Sequence, residues 1–220
     1  LEPEIPISVD NIDTAKSSID GEIVIKVEHS SIGTETYNQI FTITDNALLN
    51  GLVAYYPMEK GSGHVLHDAT SNNNDGQIDG ATWNGTGQVS SDSLLFDGTD
   101  DFVNCGRVPL NTDSDFTVSA WIRSDTLGSQ DVILDGRDGG FVGFYFGKDG
   151  SDGLFCEVFG GTNSARATTP AINSSTYYHI VGVWKENTSE MSVYLNGAIS
   201  DSSINTSVGD TNSDDILGLG

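Results

Sequence analysis

Seven oxygen-bearing side chains stand in the eight residues from Asp68 to Asp75, and Gly76 follows them. Carboxylate and amide oxygens are hard ligands, the kind that calcium takes six to eight at a time. Asp68, Asn72, Asn74 and Asp75 are the candidate ligands here. Asp97 is a fifth, from the later run Phe96-Asp-Gly-Thr-Asp-Asp-Phe102. The spacing is not that of an EF-hand, because no Glu stands at the twelfth position. The same residues also tie off turns through side-chain to backbone hydrogen bonds, so structural calcium and turn capping are both open. A second chemistry is sugar binding, in which pyranose rings stack on flat aromatic faces while hydroxyls find polar partners. Tyr145 and Phe159, on neighbouring expected strands with Phe141 and Phe155, are the candidate platforms. Arg137 is the candidate polar partner, and its alternative role is to neutralise the adjacent aspartates. Trp121 and Trp184 are assigned to packing.

Catalytic patterns are missing where they would be expected. Retaining glycosidases need two carboxyl groups about 5 Å apart, and Glu157 stands alone in Phe155-Cys-Glu-Val-Phe159. The chain has neither a Gly-x-Ser-x-Gly elbow nor a His-Glu-x-x-His pair. His64 and His67, three apart before Asp68, are weak as a metal pair. The expectation is a protein that is not an enzyme.

The charge narrows the partners. Thirty-two acidic residues face 9 basic ones, for a net charge of −23. Such a surface repels nucleic acid and anionic membranes. It suits either a halophilic habitat, where the Debye length falls to about 3 Å at 1 M salt, or cation binding. No apolar run is long enough to span a bilayer, so this segment is not expected to insert in a membrane. Cys105 and Cys156 form a disulfide if the chain is extracellular and their α-carbons come within about 7 Å; otherwise they are two buried thiols. Four N-glycosylation sequons begin at Asn84, Asn173, Asn187 and Asn205, each in an expected turn.

Short strands must position these groups. The chain lacks a helical apolar period of ten residues or more, and Gly, Asn, Asp and Ser punctuate runs of Val, Ile, Phe and Tyr. In 116–122, Phe116, Val118, Ala120 and Ile122 share one face, while Thr117, Ser119 and Trp121 share a mixed one. Asn196-Gly197 after Met191-Ser-Val-Tyr-Leu195 is the signature of a two-residue type I′ hairpin. Residues 1–50 read as a small β unit with strands near 5–9, 22–28 and 39–44. It is a stalk, an extra layer or a linker to the rest of the chain.

Five phrases in order carry a resemblance. They are Gly51-Leu-Val-Ala-Tyr-Tyr-Pro-Met, Leu94-Leu-Phe-Asp-Gly-Thr-Asp-Asp-Phe-Val, Asp115-Phe-Thr-Val-Ser-Ala-Trp-Ile-Arg, Tyr177-Tyr-His-Ile-Val-Gly-Val-Trp and Met191-Ser-Val-Tyr-Leu-Asn-Gly. Residues 51–220 thereby resemble the laminin-G-like jelly roll of the concanavalin A-like lectin/glucanase superfamily. The resemblance implies an all-β, two-sheet antiparallel jelly-roll sandwich and a binding role. In the pentraxin branch a loop related to 135–140 supplies calcium ligands for ligand binding, and Asp138 matches one of them. The phrase ending at Gly220 leads, in that family, into a further strand that closes the sheet; residues 51–220 are expected to lack it. The expected function is extracellular or cell-surface recognition and adhesion, with a glycan or cell-surface protein as partner. The alternative is the outer domain of a filament (pilin-like) structural subunit that self-assembles through an open β edge.

Overall fold

Turns in which Gly, Asn or Ser takes a positive φ divide the chain into short strands with apolar residues at alternate positions. The computed structural model describes residues 51–108, 114–137, 142–208 and 216–220. The expected strands within 1–50 lie outside the described residues, as do Asp138 and Phe141.

The strands are β1 (Val65–Leu66), β2 (Gly76–Asp79), β3 (Thr82–Asn84), β4 (Ser93–Leu95), β5 (Phe102–Asn104), β6 (Phe116–Arg123) and β7 (Asp131–Arg137). They continue as β8 (Val142–Lys148), β9 (Gly153–Gly160), β10 (Asn163–Ala171), β11 (Tyr177–Lys185), β12 (Glu190–Leu195), β13 (Ala198–Ile204) and β14 (Gly218–Leu219). Eight make one sheet in the order β1-β2-β5-β14-β7-β8-β9-β10, four make a second in the order β13-β12-β11-β6, and β3 pairs with β4. Every pairing is antiparallel. The expected all-β sandwich is the fold observed, and Val53–Gly220 form one compact unit. Gly218–Leu219 are a sheet member in their own right, bonded to β5 on one side and β7 on the other. No helix among the described residues is long and apolar enough to cross a membrane.

The core lies between the two sheets. Phe144, Phe146, Leu154, Cys156 and Val158 from the large sheet meet Ile180, Trp184, Met191 and Val193 from the small one. Phe116 packs edge-on to Phe144, with ring centroids 5.3 Å apart. Gly182 on β11 makes this closeness possible: a methyl group there would lie 2.6 Å from Cys156 Sγ. The Asn196-Gly197 turn forms as expected, with φ of 51° and 84°, and pairs Leu195 with Ala198.

The cysteines are not joined. Both are buried thiols, and the strand order gives the reason. Cys105 directly follows β5 and Cys156 lies on β9, with β14, β7 and β8 between them. Four strand spacings amount to roughly 19 Å, far beyond the reach of a disulfide.

The sheet edges differ in protection. On β10 the Thr168 amide donates to Asp201 Oδ2 at 3.0 Å, and Asn205 Nδ2 donates to the Ser164 carbonyl at 2.8 Å. Side chains from β13 and the turn after it thus cap that edge. β6, eight residues long, pairs only with β11 among the described residues.

Candidate functional site

The expected calcium loop is a closed turn. Asp68 Oδ1 accepts from the amides of Tyr55 and Thr70, both at 2.9 Å. Its Oδ2 accepts from Thr70 Oγ1 at 2.7 Å and from the Asn74 amide at 2.9 Å. Burial pushes this carboxyl up, yet the donors around it outweigh burial and hold it below the ordinary carboxylate range. Asp75 Oδ1 accepts from the Asp68 amide, and the side-chain nitrogens of Asn72 and Asn74 both converge on the Val53 carbonyl at 2.9 Å. These four residues come together, as turn chemistry that fastens the lead-in segment 53–55. Asp97 is grouped elsewhere, with Asp100 and Asp101, where one oxygen from each lies within 4.8 Å of the others. Within that group Asp101 Oδ2 accepts from the Asp97 amide and Asp97 Oδ1 from the Thr99 amide, each at 2.8 Å.

Three of the four expected ligand-binding residues meet on the outer face of the large sheet. Register places Asp135, Tyr145, Glu157 and Arg166 in one row across β7 to β10, with Phe159 paired to Ser164 in the next. Arg137 forks onto Asp135 at 2.9 and 2.7 Å, and its guanidinium lies 3.9 Å over the Tyr145 ring and 5.3 Å from that of Phe159. Arg166 lies 3.6 Å over Phe155 and pairs with Asp149 and Glu157. Phe155 is only 3% exposed and Glu157 8%, although both point away from the core. Tyr145 is half-buried, with a guanidinium over a face of its ring, and so offers less open surface than an exposed aromatic would. Arg137 plays the neutralising role weighed for it from the sequence.

The sequons differ in accessibility. Asn173 and Asn187 are exposed. Asn84 ends β3 rather than lying in a turn, and it pairs with Ser93. The Asn205 side chain is engaged at both ends, by Ser164 and by the Ser207 amide.

One aromatic assigned to packing, Trp121, is exposed. The two tryptophans assigned to packing separate: Trp184 is 2% exposed and Trp121 45%. Strand β6 pairs Trp121 with His179 on β11, and the rings stack with centroids 5.1 Å apart at 28°. Ser119 Oγ is hydrogen-bonded to His179 Nε2 at 2.8 Å, and Asn196 Oδ1 accepts from the His179 amide at 3.0 Å. With His179 on the β11 side, the other indole face is turned toward the edge that β6 forms among the described residues. Strand alternation carries the signal, since it puts Trp121 on the same exposed face as Thr117 and Ser119.

The cation beside Trp121 is Arg123, two residues along the strand, and it pairs with Asp125 at 2.9 Å; Lys185, at the far end of β11, pairs with Asp115 at 2.6 Å.

Comparison with known proteins agrees with the geometry. Residues 97–220 match the family described as the concanavalin A-like lectin/glucanases superfamily. No curated protein matches the sequence. Among solved structures, the binding domain of Paraclostridial Mosquitocidal Protein 1 superposes with a TM-score of 0.66 at 17% identity, covering 78% of this chain and 44% of that one. The binding domain of botulinum neurotoxin DC superposes with a TM-score of 0.59 at 16% identity in complex with rat synaptotagmin II, covering 76% of this chain and 43% of that one. Its complex with SialylT gives 0.56 at 15%, with the same coverage. The chain thus spans less than half the length of these neighbours. The match over more than half of its residues, on a two-sheet antiparallel sandwich, means that the chain belongs to the concanavalin A-like lectin/glucanases superfamily.

Proposed function

We propose that this chain is an extracellular or cell-surface recognition and adhesion module that binds a glycan by stacking a sugar ring on Trp121. The carrying observation is the half-open indole, backed by His179 and flanked by the Ser119 hydroxyl. An exposed aromatic with one face braced and the other open offers an apolar surface for a sugar ring beside polar partners for its hydroxyls. The neighbours' complexes, one with SialylT and one with a protein, support a glycan or a surface protein as the class of ligand. A non-catalytic role is supported by Glu157, which accepts from Ser164 Oγ at 2.6 Å and lies 3.6 Å from Arg166. Titration of immobilised glycans with wild type and Trp121→Ala tests the proposal. Truncating a central aromatic anchor removes about 2 kcal/mol, or roughly thirty-fold in affinity. Equal binding by the variant refutes the platform.

Structural calcium belongs to the proposal at Asp97, Asp100 and Asp101 rather than at the closed Asp68 turn. A rise in melting temperature with calcium over chelator that Asp97→Asn loses supports it, and no rise removes calcium from the reading. The second reading, a filament subunit assembling through a β edge, is favoured by β6, which has one partner strand among the described residues. Sedimentation velocity over a range of protein concentrations separates a monomer from such an assembly.

A further inference from the structure

We propose that Asp125 sets the ligand class of the Trp121 platform, restricting it to uncharged sugars. This rests on the platform reading above and adds a specificity-determining residue to it. Arg123 extends from the same strand and the same outer face as Trp121, two residues on, so it is the cation placed to meet an acidic substituent of a stacked sugar. It is not left to do so. Its Nε and Nη2 both reach Asp125 Oδ1, at 3.0 and 2.9 Å. Asp125 is itself held, because Ser175 Oγ donates to the same oxygen at 2.9 Å. Ser175 is anchored in turn: its amide donates to the Ser124 carbonyl at 2.8 Å, and its backbone adopts φ of 56°. Ser175 therefore holds the carboxylate whether or not Arg123 is there. The guanidinium stays on this side of the sheet, 5.8 Å from the centre of the Tyr177 ring.

An incoming carboxylate or sulfate that seeks the Nε–Nη2 edge of Arg123 finds Asp125 already bonded there, and its approach brings two like charges together. Like-charge juxtaposition of this kind is how an interface rejects the wrong partner. A neutral hydroxyl meets no such conflict. The net charge of −23 acts in the same direction at longer range.

The test is a printed array of neutral, sialylated, sulfated and uronic-acid glycans, probed with wild type, Asp125→Asn, Arg123→Gln, the double variant Arg123→Gln/Asp125→Asn and Trp121→Ala. The expected result is neutral glycans alone on wild type, signal lost in Trp121→Ala, and sialylated or sulfated glycans gained at least ten-fold by Asp125→Asn. Arg123→Gln gains no acidic glycan, and neither does the double variant Arg123→Gln/Asp125→Asn, which distinguishes release of the guanidinium from a general loss of negative charge. Circular dichroism of each variant verifies the fold. If wild type prefers acidic glycans and Trp121→Ala loses them, the inference about Asp125 is overturned while the platform stands. If Asp125→Asn remains folded and gains nothing, the inference is also overturned. If wild type binds no glycan, or Trp121→Ala binds as wild type does, the platform falls and the inference with it.

Discussion

At the scale of single residues, Asp68 shows how a side chain suited to a metal can be fully used by the protein itself. Its two oxygens accept from four donors, and that set, outweighing burial, lowers its pKa in the folded state. A lowered carboxyl contributes stability that is complete above its unfolded value, about 4, and is lost as pH falls through the lower folded value. Asp68→Asn keeps the shape but turns an NH₂ group toward donors that need an acceptor. The expected loss at pH 7 is about 2 kcal/mol, the order for hydrogen bonds to a charged group. Urea midpoints should show that deficit equally with calcium and with chelator, and the gap between variant and wild type should close below pH 4. A gap that persists unchanged at pH 2 contradicts this account of Asp68. The residue types at 68–75 were legible as a turn or a metal loop, but choosing between them required knowing which amides lay within reach. Those of Tyr55 and Asn74 are brought in by chain reversal, which spacing alone does not disclose.

At the scale of elements, local rules served well where the chain pairs with itself nearby. Asn196-Gly197 specified its hairpin because positive φ at two successive residues suits few other sequences. Alternation in 116–122 specified which face of β6 enters the core. What alternation cannot report is whether the outward face is then covered. Arg137 covers one face of Tyr145 and His179 one face of Trp121, yet Tyr145 is half-buried and Trp121 exposed, and the sequence treats both as aromatics on strands. Strand order was equally hidden, because β14 is two residues long yet separates β5 from β7 and so keeps Cys105 and Cys156 apart. The close approach of the sheets carries its own prediction. Gly182→Ala would place a methyl group 2.6 Å from Cys156 Sγ and 3.0 Å from Met191 Cε. Overpacking of this kind costs about 1–3 kcal/mol. Pairing it with Cys156→Ala should recover part of the loss, as contacting residues couple. A double variant whose denaturant midpoint shows purely additive losses would mean that the strain lies elsewhere.

At the scale of the whole molecule, charge is the property that sequence states most directly and structure qualifies most usefully. Arg123, Arg137, Lys148, Arg166 and Lys185 are each paired with a carboxylate, and Lys148 is buried between Asp131 and Asp152. Five of the nine cations are thus already matched to carboxylates, and most of the acidic excess acts as repulsion across the surface. At 0.1 M salt the Debye length is about 10 Å, so neighbouring carboxylates feel one another; at 1 M it is about 3 Å and they scarcely do. The exposed pairs lose little in exchange, since such pairs contribute at most about 1 kcal/mol each. Screening should thus favour the folded state, and calorimetry in NaCl from 0.1 to 2 M is expected to show the melting temperature climbing by several degrees. A flat or falling profile would mean that pairing had already neutralised the surface. The same titration separates stability from recognition. A sugar without charge releases no counterions on binding, so its affinity for the Trp121 platform should stay level across a salt range that moves the melting temperature. An affinity that falls steeply with salt would instead identify an ionic contact, and would count against both the uncharged ligand and the role of Asp125.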